Sequence, residues 1–461
     1  MAQARFLSGN LFRHVATMSL TSSVGLTAVF AVDFIDMVFI SMLGKAALAA
    51  AVGYAGAVLF FTSAFGIGMA IAGGALVARA LGEGQPAAAR RKATHVLIYG
   101  ALFAAGFALI VWLNLRPIVQ LVGATGETAD LAVHYLAILV PFLPLLVLGM
   151  IGGAILRAHG AARLSMMATI WAGLANAILD PILIFGLNME LTGAALASVA
   201  ARIVMVAAAL YPIWRYHGGF SRLTPRRLMA DLPPIFTIAI PAILTQLATP
   251  VGQAYVTRAM AEFGEAAVAG MAVISRLMPV SFAVIFALSG AVGPIIGQNA
   301  GAGLTDRVRG TYRAALGFTL GVVVLISALL FLLRWPIAGL FQAEGITLQL
   351  ILLFCGPLAL AYVFNGVIFV SNASFNNLGH PFYSTWINWG RHTLGTIPFV
   401  IVFAAWLGAP GVLIGQAVGG AIFAALALGL ALRVISAADS DAGRPLFQRR
   451  GKEHELLNHR R

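Results

Sequence analysis

Three carboxylates stand inside long apolar runs of the sequence. Asp33 and Asp36 lie in the first run and Asp180 lies in the fifth. Asn176 precedes Asp180 by four residues, so a helix places both side chains on one face. An ionised side chain at the centre of a bilayer costs on the order of 3 kcal/mol. We therefore interpret these acids as candidates for ion binding.

Two chemistries fit this set of oxygens. Asp36, Asn176 and Asp180 could coordinate Na⁺, or a carboxylate of the pair could take up a proton. The competing structural role is a helix cap or a hydrogen bond to a neighbouring helix. We favour ion binding for Asp36 and Asp180 because acids inside spans are costly. Two roles remain open for Asp33, which either shares the proton of Asp36 or makes a polar contact in the outer leaflet.

The composition shows which elements must position these acids. Of 461 residues, 60% are hydrophobic and 10% are charged, whereas soluble domains carry about 25% charged residues. Most of the surface is therefore expected to face lipid. The single cysteine, Cys355, excludes a disulfide framework and a cysteine metal site. No signal peptide is expected, because the first apolar run is long and has no cleavage pattern.

Apolar runs of spanning length predict twelve transmembrane helices. They are placed at 14–39, 50–78, 94–115, 130–153, 164–186, 191–213, 233–257, 268–298, 314–334, 348–373, 384–406 and 411–433.

The basic residues predict the orientation of the chain. With twelve spans both termini share one side, and most of the 29 lysines and arginines fall in the segments of that side. By the positive-inside rule, this side is cytoplasmic. The net charge of +13 is therefore a topology signal, and we expect no nucleic-acid partner. Lys45, Arg116, Arg258 and Arg334 fall on the opposite side, and Arg202, Arg276 and Arg391 fall within spans.

The chain also repeats itself at long range. LGKAALAAAV (43–52) resembles FGEAAVAGMA (263–272), and the segment 157–178 parallels 376–397 at nearly the same offset. Six spans in each half make the repeats parallel, which is typical of transporters that bind substrate between two halves. We predict an all-α integral membrane protein whose twelve helices form two pseudo-symmetric six-helix lobes. The divisions are a first lobe with the cation site (1–215), a cytoplasmic linker (216–232), a second lobe (233–433) and a basic cytoplasmic tail (434–461).

Three stretches resemble signatures of the multidrug and toxic compound extrusion (MATE) transporters. They are IDMVFISMLGKAALAA (35–50), NAILDPILIFGLNMELTGAALASVAA (176–201) and GPIIGQNAGAG (293–303). The resemblance covers nearly the whole chain. It implies two lobes in a MATE-type V around a central cavity, and cation-coupled antiport of amphipathic, often cationic, drugs.

The resemblance also implies a cation site in the first lobe, as in the DNA-damage-inducible (DinF-like) branch. Asp36 matches the first-helix aspartate, Asn176 and Asp180 match the fifth-helix pair, and Ser198 matches a hydroxyl of the sixth helix. Thr192 is a nearby alternative to Ser198. Another branch also uses acids in helices 7 and 10. This chain departs from that branch, because in those helices it offers side-chain amides and no carboxylate. It also lacks a proline in helix 1.

Arg276 and Arg391 are unusual cations within the second half. They either face the cavity and hold an anionic group of a substrate or headgroup, or bond helix-terminal carbonyls and snorkel to an interface. The candidates for the substrate cavity are Gln253, Tyr255, Arg276, Met278, Phe282, Asn372 and Arg391.

These observations predict a secondary active antiporter that exports amphipathic, cationic compounds in exchange for H⁺ or Na⁺ by rocking of the lobes. We favour H⁺, since bacterial antiporters commonly meet a proton gradient. The alternative is a flippase for lipids or lipid-linked precursors. A membrane-embedded enzyme is disfavoured because no catalytic pair is found. We expect a functional monomer in the bacterial inner membrane that binds small amphipathic molecules and needs no cofactor beyond its coupling ion.

Overall fold

The computed structural model describes residues 4–440, and nearly all of them are helical. Seventeen α-helices follow one another along this part of the chain. In the first half they are α1 (Leu11–Met42), α2 (Ala46–Gly82), α3 (Pro86–Leu113), α4 (Leu115–Leu121), α5 (Gly126–Leu139), α6 (Leu143–Ala158), α7 (Ala162–Pro181) and α8 (Glu190–Tyr216). In the second half they are α9 (Pro225–Ala261), α10 (Glu265–Ser281), α11 (Ala283–Gly301), α12 (Thr305–Leu340), α13 (Gly345–Leu353), α14 (Ala359–Asn377), α15 (Pro381–His392), α16 (Ile397–Leu407) and α17 (Ala409–Ser440).

Twelve helical segments of the described chain are long and apolar enough to cross a membrane, which confirms the predicted number of spans. Several predicted boundaries shift. The predicted linker 216–232 is helical from Pro225, where a proline at the first helical position starts α9. The last helix continues through Ser440, past the predicted end of the second lobe at residue 433. The rest of the predicted basic tail, 441–461, lies outside the described residues.

Several predicted spans are interrupted rather than continuous. The eighth divides into α10 and α11 at Phe282, and the fourth into α5 and α6 at the 3₁₀ turn Val140–Phe142. The tenth contains the π-helical segment Phe354–Leu358, and the eleventh divides at residues 393–396. Irregular backbone at membrane depth is tolerated where it is buried in protein or lines a cavity. Val140, Phe282 and Phe354, at three of these interruptions, are buried, in agreement with this rule.

Buried side chains form two separate cores. One joins residues between Ile40 and Ala239, and the other joins mainly residues between Val256 and Ile435. Phe6, Val15 and Met18 belong to the second core, although they precede or begin α1. Each lobe thus has its own core, and the first part of α1 packs on the second lobe.

The two lobes meet at the predicted cytoplasmic end. The end of α2 lies against the end of α11 so closely that a Cβ on Gly82 would be 2.0 Å from the Gln298 carbonyl oxygen. A Cβ on Gly301 would be 2.2 Å from the Arg79 carbonyl oxygen. The Gln298 side chain also donates a hydrogen bond of 2.8 Å to the carbonyl of Ala158. This end of the molecule is closed by direct backbone contact, which glycine permits.

The segment before α1 strengthens the closure. The backbone N–H of Phe6 donates to Gln298 Oε1 at 2.9 Å, and its carbonyl accepts from Arg307 Nη2 at 2.8 Å. The Phe6 ring lies against Gly160 of the first lobe. Asn10 then caps α1 by accepting from Arg13 N at 3.0 Å. Residues 5–10 therefore bridge both lobes before the first span begins.

We expect Gly301→Ala to destabilise the closed end by about 1–3 kcal/mol, because its methyl group would overlap the Arg79 carbonyl. The measurement is thiol labelling, from the predicted cytoplasmic side, of a cysteine placed at the cavity-lining position Ala75 in a Cys355→Ser background. Labelling should become faster in Gly301→Ala. The control Gly106→Ala adds a methyl group with nothing within 4 Å and should label at the original rate. Equal rates in the two variants would contradict the expectation.

Candidate functional site

Asp36 of α1 and Asp180 of α7 meet within the first lobe. Their side chains lie within hydrogen-bonding reach of each other, and Asp180 is fully buried. Neither oxygen of Asp180 has a hydrogen-bond donor among the described residues, and Asp36 Oδ1 has none either. Asn176, one turn before Asp180, is 5% exposed, and its Nδ2 is also without a partner. We call Asp36 and Asp180 the carboxylate pair.

A proton or a metal cation between the oxygens of the carboxylate pair would relieve the repulsion between two ionised acids. Two ionised carboxylates in contact repel each other strongly at low dielectric. Among the described residues, no basic side chain is bonded to Asp36 Oδ1 or to either oxygen of Asp180. A shared proton removes one charge and supplies the missing donor. A Na⁺ ion would instead use carboxylate oxygens together with the Asn176 amide oxygen. Within residues 4–440, His, Cys, Asp and Glu form no group of three or more that could hold a metal.

The local sequence explains how Asp180 is held. Pro181 follows it directly and lacks the N–H that would bond back into α7, and the π-helical turn Ile182–Gly186 comes next. Gly193 of α8 packs on this turn, since a Cβ there would lie 2.8 Å from the Leu183 carbonyl group. The chain therefore ends α7 immediately after the acid and fixes its position against α8.

A tyrosine that the sequence analysis missed joins the site. The buried Tyr135 of α5 lies within hydrogen-bonding reach of Ser198 and interacts electrostatically with Asp36, Asp180 and Arg202. Arg202 itself donates to the carbonyl of Leu139 at 2.7 Å. Ser198, predicted as a coupling residue, is thus placed beside this tyrosine. No pattern in the sequence distinguishes Tyr135, because its position beside Ser198 depends on the packing of α5 against α8.

The two remaining coupling candidates lie at the edge of the site. Asp33 is on the exposed side of α1, close enough to Asp36 for electrostatic interaction. Thr192 pairs with His134, with 2.8 Å between its hydroxyl and His134 Nε2. Neither side chain belongs to the carboxylate pair.

A cavity of about 710 Å³ lies between the lobes. Four of the predicted cavity residues line it: Gln253, Met278, Asn372 and Arg391. The structure places the other three elsewhere. Tyr255 lines a separate, outer pocket, and Phe282 is fully buried with its ring stacked on Tyr362 at 4.1 Å. Arg276 is exposed, with Nη2 at 3.8 Å from Met37 Sδ.

The cavity wall contains two charged side chains, Arg157 and Arg391, and no carboxylate among the described lining residues. By sequence, Arg157 falls between the predicted spans 130–153 and 164–186, in a segment assigned to the cytoplasmic side. It lines the cavity because α6 extends to Ala158, so its side chain still lies within the helix. The carboxylate pair does not line this cavity. The carboxylate pair and the cavity are therefore spatially separate.

We expect the carboxylate pair to share one proton at neutral pH in Na⁺-free buffer, because the contact offers no other donor. Infrared spectra should then contain the carbonyl band of a protonated carboxyl group, and Asp36→Asn and Asp180→Asn should each lose it. Asp130→Asn, in a surface ion pair with Arg116, is the matched control and should retain the band. Absence of the band from the wild-type protein would contradict a shared proton.

The architecture defines a polytopic membrane protein of two lobes with a cavity between them, as in transporters. The MatE family profile matches residues 22–182 and 241–402, so the chain belongs to the MATE family of transporters. The resemblance stated from the sequence is confirmed at this level. The narrower placement in the DinF-like branch stays a prediction.

Individual relatives cover most of the chain. An FAD transporter of Shewanella oneidensis is 29% identical over 85% of this chain and 88% of its own length. The multidrug export protein MepA of Staphylococcus aureus is 24% identical over 79% of this chain and 81% of its own. The crystal structure of the Vibrio cholerae MATE transporter VcmN in the bent form is 25% identical and superposes with a TM-score of 0.88. That match covers 93% of this chain and 98% of VcmN.

Proposed function

We propose that this chain is a secondary active antiporter that exports amphipathic organic compounds in exchange for H⁺ or Na⁺. The observation that carries the proposal is the contact between Asp36 and Asp180 without a basic partner. In this proposal the two acids bind a cation in one state of the transport cycle, and they repel each other when the cation has left and both are ionised. The family supports transport, while the exchanged ion and the direction are our inference.

The packing of α1 suggests how the ion would drive the lobes. Its later part carries Asp36 against α7 of the first lobe, and its earlier part packs against α11 and α12 of the second. Loss of the cation leaves two charges in contact and favours separation of α1 from α7. Movement of α1 would then alter its contacts with the second lobe. The contact between the lobes at the closed end would have to rearrange in response. This sequence of events is alternating access by rocking of two lobes.

The proton is our first choice for the coupling ion. Two carboxyl groups within hydrogen-bonding reach are what a shared proton requires, whereas Na⁺ needs more oxygen ligands around it. Asn176 is the nearest described supplement for a sodium site, and its Nδ2 has no partner. The metal ligands would then be Asp36, Asn176 and Asp180.

Transport by reconstituted protein tests the proposal. Proteoliposomes carrying an imposed H⁺ or Na⁺ gradient should accumulate a fluorescent amphipathic compound, and Asp36→Asn and Asp180→Asn should reduce uptake to the level of protein-free vesicles. Asp306→Asn removes a fully exposed carboxylate and should transport like the wild type. If both pair variants remain driven by the gradient, the coupling site lies elsewhere. If neither gradient drives transport, the antiport proposal fails.

The names of the relatives leave the substrate open. One is an FAD transporter and the other a multidrug export protein. FAD carries a pyrophosphate and is an anion, whereas the substrates we expected from the sequence are cations. The two arginines of the cavity wall favour an anionic over a cationic substrate.

A flippase for a lipid or a lipid-linked precursor is the second candidate. The cavity arginines favour it, because such compounds carry phosphate groups that guanidinium binds well. A flippase would move a phosphate-bearing lipid between leaflets with the same two lobes. Scrambling of a fluorescent anionic lipid in the proteoliposomes distinguishes it from export of a water-soluble compound.

A further inference from the structure

The charge of the central cavity is one-sided. Arg157 and Arg391 are its charged lining residues among those described, and its other polar residues are neutral, including Gln246, Gln253 and Asn365. Like charges in a cavity with apolar walls repel a cation strongly, since the low dielectric strengthens the interaction. This wall is therefore suited to a negatively charged group.

Arg391 is free to bind such a group. It is partly exposed in the last turn of α15, and no hydrogen bond or ion pair of its guanidinium is found within residues 4–440. Its Nε lies beside Gly420 of α17, where even an added Cβ would make only an ordinary contact at 3.9 Å. A guanidinium has five N–H donors in a planar fork that matches phosphate and carboxylate.

The end of α15 does not account for Arg391. The carbonyl of Trp389 accepts from the N–H and hydroxyl of Thr393, at 2.9 and 2.7 Å. The carbonyl of Gly390 accepts from Gly395 N at 2.8 Å, and that of Arg391 accepts from the Thr396 hydroxyl at 2.9 Å. These terminal carbonyls are satisfied by the turn itself. The arginine is therefore not needed as a cap, and its donors remain for a ligand.

A second unsatisfied donor or acceptor lies next to it. His392 lines the same cavity, is 6% exposed, and has no hydrogen-bond partner for Nδ1. Gly252 of α9 provides its space, because a Cβ there would lie 2.2 Å from this nitrogen. A buried polar atom without a partner costs about 1–3 kcal/mol. This nitrogen packs against α9 and is not exposed to the cavity, so His392 contributes to the subsite through its position beside Arg391 and not through Nδ1.

Aromatic rings stand beside this charge. Tyr362 is close enough to Arg391 to interact electrostatically, and it lines the cavity with Phe286 and Phe369. The Phe286 ring lies 6.1 Å from that of Tyr362 and 5.6 Å from that of Phe369. Rings in such a cluster pack favourably against a flat aromatic compound. The wall thus joins an anion-binding group to an aromatic surface.

We propose that Arg391, with His392 beside it and Arg157 as a second positive charge, forms a subsite for the phosphate or carboxylate of a planar aromatic compound. The inference rests on the proposed function in one respect, that this cavity holds the transported compound. Arg157 already donates to Ser165 Oγ at 2.8 Å and lies against Gly290 of α11, so it joins the two lobes at the closed end. Arg391 has no such commitment and is the primary anion-binding residue.

Binding to the purified full-length protein tests the subsite with three probes of one ring system. They are naphthyl phosphate, neutral naphthol and the cation naphthylmethyl-trimethylammonium. The wild type should bind the phosphate at least about tenfold more tightly than the cation, as expected for charge-assisted hydrogen bonds. Arg391→Gln should weaken phosphate binding about tenfold or more, and Arg391→Lys should restore part of it. Naphthol affinity should be unchanged in both variants, which shows that the cavity is intact.

Arg276→Gln is the matched control, because it removes an arginine of the same lobe that lies outside the cavity. It should bind all three probes like the wild type. Equal or tighter binding of the cation by the wild type, or unchanged phosphate binding by Arg391→Gln, would overturn the proposal. Competition by phosphatidic acid in nanodiscs would identify a lipid headgroup as the source of the anion. Its absence would identify a water-soluble compound.

The outcomes separate the subsite from the proposed antiport. Selective phosphate binding without gradient-driven transport leaves the subsite in place and removes the antiport. Gradient-driven export of the cationic naphthyl probe, with no preference for the phosphate, supports the antiport and overturns the subsite.

Discussion

The organisation of the first lobe depends on the interaction between Asp36 and Asp180, because two ionised carboxylates this close repel each other strongly at low dielectric. Asp36 and Asp180 lie on helices that are far apart in sequence, so α1 and α7 must pack with their polar faces together. The break after Pro181 and the close approach of Gly193 hold one acid in place. Tyr135 and Ser198 then complete a polar neighbourhood in an otherwise apolar lobe. The stability of this arrangement depends on whether one or both acids of the carboxylate pair are ionised.

Buried charges of opposite sign lie at different places in the molecule, and the cavity arginines come from both lobes, Arg157 from α6 and Arg391 from α15. The first lobe holds the acidic pair away from the cavity, and the cavity wall holds two arginines. A coupling cation and an anionic substrate would therefore occupy separate sites without competing for the same side chains. Communication between such sites has to pass through helix movement, because no charged residue belongs to both.

The sequence predicted features that follow from local composition. Apolar run length predicted the twelve spans, and the cost of charge in lipid singled out Asp36 and Asp180. It did not predict Tyr135 or the cavity position of Arg157. Their surroundings depend on the packing of α5 against α8 and on where α6 ends. Arg276 and Arg391 looked equivalent by sequence, yet one lies at an exposed position and the other in the cavity wall. That difference arises from how α10 and α15 pack, which the sequence of either helix alone does not reveal.

The uninterrupted course of α1 sets a geometric condition on the whole protein. This helix is anchored at the Asn10 cap and by its contacts with the second lobe, and it carries Asp36 on a later turn. Each residue of an α-helix rotates the next side chain by about 100°. The number of residues between the anchor and the acid therefore fixes the direction in which Asp36 points. One inserted residue would turn it away from Asp180 while every side chain remained chemically intact, so the length of this stretch is constrained as tightly as the identity of the aspartate.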